Sequence, residues 1–279
     1  MKVALVCCGR LENRYVQEFV DYYKQLGIDH ILIADNNREG EEHFEDVLQR
    51  YINDGFVSIY NFRNVTEYAQ YESYFSLYYK CSEDYDWVYF CDIDEYLTLP
   101  KDNNIKDYLS RECFKDANQI LINWQTYTDN DLIYDDGRPC LERFTATMDL
   151  DKTIEEDWLI KNRVCKPILR TNLYNLEYQT VHMFKSDLLR KTTYNSKGKK
   201  VKEFQIWQPI NYDYAYIKHF STKTIDEYIN NKWKRGTGDR PYENFLNEYG
   251  LDVFFKYNDI TEEKLNYLKE HGIEYKVSE

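Results

Sequence analysis

Residues 86–97, DWVYFCDIDEYL, carry the chain's densest chemistry. Asp92, Asp94 and Glu95 place three carboxylates within four residues, and a hard divalent cation is the usual way to neutralise a group that repels itself so strongly. The run before them, Trp87 to Cys91, is short, aromatic and apolar, which predicts a buried central strand with acids at its carboxyl end. In an open parallel α/β sheet, ligands lie beyond those ends. Asp92 and Asp94 are therefore candidate metal ligands. Glu95 is expected to support the site's backbone or hold a hydroxyl, while Tyr96 and Leu97 pack. The competing reading is that the acids cap a helix or simply face solvent.

The elements that must position these acids alternate. A first strand over residues 2–8 ends at Gly9 and Arg10, and Val16, Phe19, Val20, Tyr23 and Leu26 follow at helical spacing until Gly27. A second strand, His30 to Ala34, ends in Asp35, Asn36 and Asn37. A helix over 41–53, a strand over 56–60 and a helix over 66–82 lead to the acidic strand. Such alternation implies parallel pairing with right-handed crossovers. Beyond it the pattern predicts a helix near 105–112 and strands over 120–124, 166–169, 180–184 and 215–220. Residues 129–162 read as loops shaping an acceptor site, 196–202 as a basic turn, 224–236 as a helix capped by Thr222 or Thr224, and 261–272 as a packing helix. Asp35 directly follows an apolar strand, where it can accept from a ribose hydroxyl or a base nitrogen.

The expected fold is α/β: a Rossmann-like, mostly parallel central sheet flanked by helices, with a C-terminal mixed and helical elaboration. No Gly/Ser/Pro-rich linker divides the 279 residues, so one domain is expected. Its nucleotide-binding half is 1–100, its acceptor-side half 101–220 and its helical segment 221–279. A formal charge of −13 argues against nucleic acid as a partner but does not exclude a nucleotide, whose diphosphate needs only a metal and a few local cations. Twenty-eight tyrosines suit carbohydrate faces, although most are expected to be ordinary packing residues. Seven cysteines without a CxxC pair give neither a disulfide framework nor a zinc pattern, which points to a reducing, cytoplasmic setting. The N-terminal run is too short for a signal peptide, and no run reaches transmembrane length, leaving peripheral contact with the inner membrane face as the way to meet lipid.

Five segments in order, CCGRLENRYVQEFVDYYKQLGIDHILIADNN, DWVYFCDIDEYL, LINW, CKPILR with a later His182, and KHFSTKTIDEYINNKWKRG, resemble glycosyltransferase family 92 and its bacterial family 2-like relatives. The resemblance spans most of residues 3–236. It implies a GT-A fold, a nucleotide-sugar donor, commonly a UDP-sugar, and a divalent metal (Mn2+ or Mg2+) at the Asp-x-Asp. A glycan or lipid-linked glycan acceptor in bacterial surface polysaccharide synthesis fits the same reading. Asp94 is then expected on the metal, Asp92 on the metal or the donor's ribose, and the uracil and ribose near Cys8, Arg10 and Asp35. His219, otherwise a core histidine, becomes a further metal ligand, and Lys223 and Arg235 become diphosphate partners. Lys232 and Lys234 could equally be a solvated helix end. The sequence departs from the family at Arg10, Leu11, Glu12 and Asn13, where Lys-Asn-Glu is usual.

Sugar transfer separates an anionic nucleoside diphosphate from an oxocarbenium-like carbon, and an inverting enzyme also needs a base for the acceptor hydroxyl. That base is expected after Trp124, where Glu142, Asp149 and Asp157 are candidates among many acids. Two rivals remain: a non-catalytic nucleotide- or glycan-binding protein, and a phosphatase of the haloacid dehalogenase type. Against the phosphatase, Tyr96 stands where that family has Thr or Val, and the motif follows the fourth strand instead of the first.

Overall fold

The computed structural model describes residues 1–148, 162–238 and 250–276. Its first half follows the alternation in the sequence. Strands β1 (Val3–Gly9), β2 (His30–Asp35), β3 (Val57–Asn61) and β4 (Trp87–Phe90) pair in parallel in the order β3-β2-β1-β4. Helices α1 (Asn13–Gln25), α2 (Glu45–Asn53) and α3 (Ala69–Cys81) connect them. Strand periodicity sends alternate side chains to opposite faces. Val3, Leu5, Trp87 and Tyr89 join Val16, Phe19, Tyr23 and Leu48 on one face; Ala4, Val6, Val88 and Phe90 meet Tyr74, Leu77 and Tyr78 on the other. The strand order reverses at β1, with β2 on one side and β4 on the other, and that opens a crevice at their carboxyl ends.

The second half departs from simple alternation. Strand β7 (Cys165–Arg170) inserts antiparallel between β4 and β6 (Gln119–Thr126). Strand β11 (Tyr216–His219) runs parallel to β6, and β5 (Glu95–Thr98) pairs antiparallel with β11 at the edge. The sequence reading assigned Tyr96 and Leu97 to packing, and both are buried, but they do so on a strand that starts immediately after the acids. Short strands β8 (Glu177–Thr180) and β9 (Met183–Lys185) form a separate ribbon, and β10 (Thr193–Asn195) adds to β6. The helix expected over 66–82 begins at Ala69, because Tyr68 takes a left-handed conformation with φ 53° and turns the preceding segment toward the crevice. Among the described residues no helix is long and apolar enough to cross a membrane.

Candidate active site

The crevice is a cavity of about 430 Å3. One end is lined by Cys8, Arg10, Asn36, Arg38, Thr66 and Tyr68, the middle by Asp92, Asp94, His219 and Lys232, and the other end by Trp124, Val164, His182, Ile206 and Trp207. The acids reach it because Ile93, between them, turns inward and is buried. Gly9 makes room for that turn: a Cβ there would lie 2.5 Å from Ile93 Cδ1 and 2.8 Å from Phe44 Cζ.

The two aspartates have different surroundings. Asp92 Oδ2 accepts from Lys166 Nζ at 3.0 Å, and Oδ1 accepts from the Gln70 amide and from Tyr74 Oη at 3.2 Å. Lys166 is fully buried; burial alone would push its ammonium down, yet the Asp92 and Glu95 carboxylates outweigh it and hold it above its ordinary value. Asp94 lies deeper, and its Oδ1 is buried without a hydrogen-bond partner. His219 Nε2 is 3.7 Å from Asp94 Oδ1 and Lys232 Nζ 3.7 Å from Oδ2. Burial would raise the Asp94 carboxyl, but His219, Lys232, Lys223 and Arg235 more than reverse this and hold it far below its usual range. Burial pushes the His219 imidazole down to about 3, so it is neutral and can ligate. Glu95 is fully buried, and desolvation raises its carboxyl well above its ordinary value against the pull of Lys166.

Ligand atoms of Asp94, Glu95 and His219 lie within 4.8 Å of one another. Of the expected metal set, Asp94 and His219 thus come together, with Glu95 behind them, whereas the Asp92 carboxylate is engaged by Lys166, Gln70 and Tyr74. Strand pairing does this: His219 is in register with Glu95, and the Phe220 N–H donates to the Asp94 carbonyl at 3.0 Å.

The cations arrive on the segment after β11. Lys223, at a left-handed φ of 54°, is buried with its ammonium 4.3 Å above the Tyr15 ring, behind the cavity wall. Thr224 caps the helix Ile225–Glu227 through a reciprocal capping box with Glu227. The helix continues through a π turn, Tyr228–Lys232, and one more turn, Trp233–Arg235. Lys232 and Arg235 face the cavity, while Lys234 bonds Asn230 on the exposed side. Arg235 pairs with buried Glu12 and donates to the Arg10 carbonyl at 2.7 Å. Gly238 then packs on Gln70, whose N–H donates to its carbonyl at 2.9 Å.

The remaining expected residues divide. Cys8 lines the cavity with its thiol pushed up to about 12 by burial, a neutral wall. Arg10 also lines it, but its guanidinium is held by both Glu41 oxygens, at 2.9 and 2.7 Å. Asp35 is turned away: it is buried, paired with Arg63 and bonded to Asn37, and its neighbours Asn36 and Arg38 line the cavity in its place. Glu142 is exposed and outside the cavity lining. Asp149 and Asp157 lie outside the described residues. Sequence reasoning missed Glu12, Gln70 and Lys166; only Lys166, a lone charge inside the apolar run Lys166–Leu169, left a readable signal.

No curated protein sequence matches the chain. Among solved structures, Staphylococcus aureus TarS resembles it at 13% identity and a TM-score of 0.42, over 80% of this chain and 37% of that one. Its fragment 1–349 in complex with UDP-GlcNAc gives 12% and 0.40, over 95% and 78%. The Pyrobaculum calidifontis mannosyltransferase PcManGT with GDP-Man and Mn2+ gives 10% and 0.33, over 44% and 36%. The chain therefore spans little more than a third of the first and last of these. These likenesses are distant, but the glycosyltransferase family 92 profile matches residues 4–250. That match covers most of the chain, including the acids, His219 and the cationic helix, and the chain belongs to glycosyltransferase family 92.

Proposed function

We infer that this glycosyltransferase moves a sugar from a UDP-sugar to a hydroxyl of a glycan or lipid-linked glycan, with a divalent cation at Asp94 and His219. One observation carries the reading: of twelve buried side-chain polar atoms without hydrogen-bond partners among the described residues, six, including Asp94 Oδ1, Trp124 Nε1, Thr126 Oγ1 and Ser221 Oγ, belong to residues that line this cavity. Buried polar groups are normally satisfied, so their convergence marks the place of a polar ligand. A carboxylate oxygen without a hydrogen bond beside a neutral imidazole is a donor set that fits Mn2+ or Mg2+. When bound, the cation supplies Lewis-acid stabilisation of the leaving diphosphate. Lys232 and Arg235 add positive charge beside Asp94, where the diphosphate would lie, and Gly236–Gly238 line the same cavity. Asn36, Arg38, Thr66 and Tyr68 provide the nucleoside end. The phosphatase and non-catalytic readings fall with membership of a transferase family.

The test is calorimetric titration of UDP with and without Mn2+, followed by UDP release from a panel of nucleotide sugars. Mn2+-dependent UDP affinity and turnover of a UDP-sugar are expected. UDP affinity that ignores Mn2+, or turnover confined to donors carrying another nucleotide, would overturn the reading.

A further inference from the structure

We propose that the basic lobe at residues 185–203 docks on an anionic lipid bilayer and seats the protein with the Trp207 end of the cavity toward the lipid. In a chain of formal charge −13, this stretch carries seven lysines and arginines against two acids, Asp187 and Glu203. The fold gathers them. A helical turn, Leu189–Thr192, runs straight into β10, and the chain then reverses on itself. The Asn195 N–H donates to the Lys199 carbonyl at 2.8 Å, the Val201 N–H to the Thr193 carbonyl at 3.0 Å, and Lys200 bridges to Tyr194. The Arg190 guanidinium lies 5.2 Å from the centre of the Phe204 ring, tying the helical turn to the returning segment. Arg190, Lys191, Lys199, Lys200 and Lys202 are all exposed.

Two observations separate this lobe from an ordinary solvated face. Exposed cations elsewhere stand against acids: Arg14 with Asp135, Arg50 with Asp21, Lys115 with Glu112 and Arg138 with Asp136. Among the described residues, none of the five exposed cations of the lobe has a carboxylate at ion-pair distance, although the neighbouring Lys197 pairs with Asp213. Like charges gathered on one hairpin repel each other, and lipid phosphates relieve that repulsion. The second observation is apolar. Leu188, just before the helical turn, is 48% exposed, and Trp207 is 41% exposed. Between the lobe and Trp207, the side chains of Val201, Phe204 and Ile206 pack on Leu121, Cys165 and Met183, and Ile206 and Trp207 line the cavity. Cations beside an exposed leucine and tryptophan match a membrane interface, where ammonium groups meet phosphates and apolar tips enter the acyl boundary. A nucleic acid would use the cations alone, and the acidic remainder of the chain would repel it. A bilayer held here lies at the end of the cavity away from the nucleoside, where a lipid-linked glycan enters without leaving its membrane. This goes beyond the transferase reading, and the surface alone carries it.

The experiment is co-sedimentation of the full chain with vesicles of phosphatidylcholine alone or mixed equally with phosphatidylglycerol, which needs neither donor nor metal. The parent should bind the anionic vesicles, ignore the neutral ones and let go as salt rises. Lys199→Gln/Lys200→Gln/Lys202→Gln should weaken binding by about fivefold per lysine, roughly 100-fold together, with the unfolding midpoint unchanged. Lys80→Gln/Lys101→Gln/Lys269→Gln removes as much charge from exposed sites outside the lobe and should bind as the parent does. Leu188→Ser should weaken vesicle binding while leaving the affinity for inorganic polyphosphate unchanged. A parent that ignores anionic vesicles, a lobe variant that binds like the parent, or a control variant that loses as much overturns the proposal. So does a Leu188→Ser variant with parental vesicle affinity, or a parent that prefers polyphosphate to the same phosphate concentration in vesicles, since the lobe would then serve a soluble polyanion. None of these outcomes depends on UDP or Mn2+, so failure here is distinct from failure of the function reading.

Discussion

Replacing Lys166 by methionine removes the ammonium between Asp92 and Glu95 while keeping most of the side chain's volume. At the observed 3.0 Å, two unit charges interact by about 5.5 kcal/mol at an effective dielectric of ~20. The Asp92 side chain is 32% exposed, so water recovers part of this once the lysine is gone. The expected loss is about 3 kcal/mol, the lower end of what breaking a buried pair costs. Asp92→Asn should cost at least as much, because it strands an ammonium that has no access to water. Removing both charges in Lys166→Met/Asp92→Asn should cost less than the sum by roughly 2–3 kcal/mol, the signature of a directly coupled pair. Urea unfolding followed by tryptophan fluorescence measures all three. Additivity within ~0.5 kcal/mol would refute the idea that Lys166 is what holds Asp92, and would return Asp92 to the metal.

Other expectations follow from the same site. Asp94→Ala should abolish Mn2+-dependent UDP binding while the fold survives, and in the parent Mn2+ should bind weakly alone but tightly with UDP, both read by calorimetry. Arg235→Ala strands buried Glu12, so it should lower the unfolding midpoint and weaken UDP binding at saturating metal, whereas Lys234→Ala on the exposed side should change neither. Asp35→Asn separates two accounts: a ribose contact predicts a loss of about 1.5–3 kcal/mol in UDP affinity, while the observed pairing with Arg63 and Asn37 predicts lost stability with UDP affinity unchanged. Burial would raise the Glu227 carboxyl, but hydrogen bonds from Arg143 and Tyr15 hold it below its ordinary value. A depressed folded-state pKa gives stability that is present above the unfolded value of about 4.3 and lost as pH falls through the folded one. The stability gap between parent and Glu227→Gln, measured by urea unfolding from pH 7 to 3, should therefore be widest above about pH 5 and close in acid.

The parallel half of the fold was legible because each strand there is an apolar run ending in polar residues, with a helical period between. The same pattern identified the acids and the carboxyl ends around them. It failed where pairing is not written locally. Nothing in CKPILR says that β7 runs antiparallel beside β4, so the partner of Asp92 could not be read, although a lysine in an apolar strand is itself a sign of a buried charge. Asp35 shows a related gap: an acid after an apolar strand can face ligand or protein, and its pairing with Arg63, 28 residues on, was not readable from the strand. Sorting the helical cations was within reach. Lys232 and Arg235 are three apart and share a face, while Lys234 lies opposite, as helical spacing requires.

A chain with a formal charge of −13 has gathered a locally cationic centre, and the pairing explains how. Lys166 cancels Asp92 and Glu12 cancels Arg235, so the charges left around the candidate metal pair are Asp94 against Lys232 and Lys223. A bare divalent cation would enter beside two ammonium groups and gain only one full carboxylate. A diphosphate alone would find those ammonium groups but would also face Asp94. Brought together, the cation and the diphosphate nearly cancel each other, leaving the neighbourhood close to the balance in which it folded. On the proposed reading, then, the centre is expected to favour the pair over either ion alone. On the proposed reading this depends on Asp94, the anion that would hold the cation and that lies 3.7 Å from Lys232 Nζ.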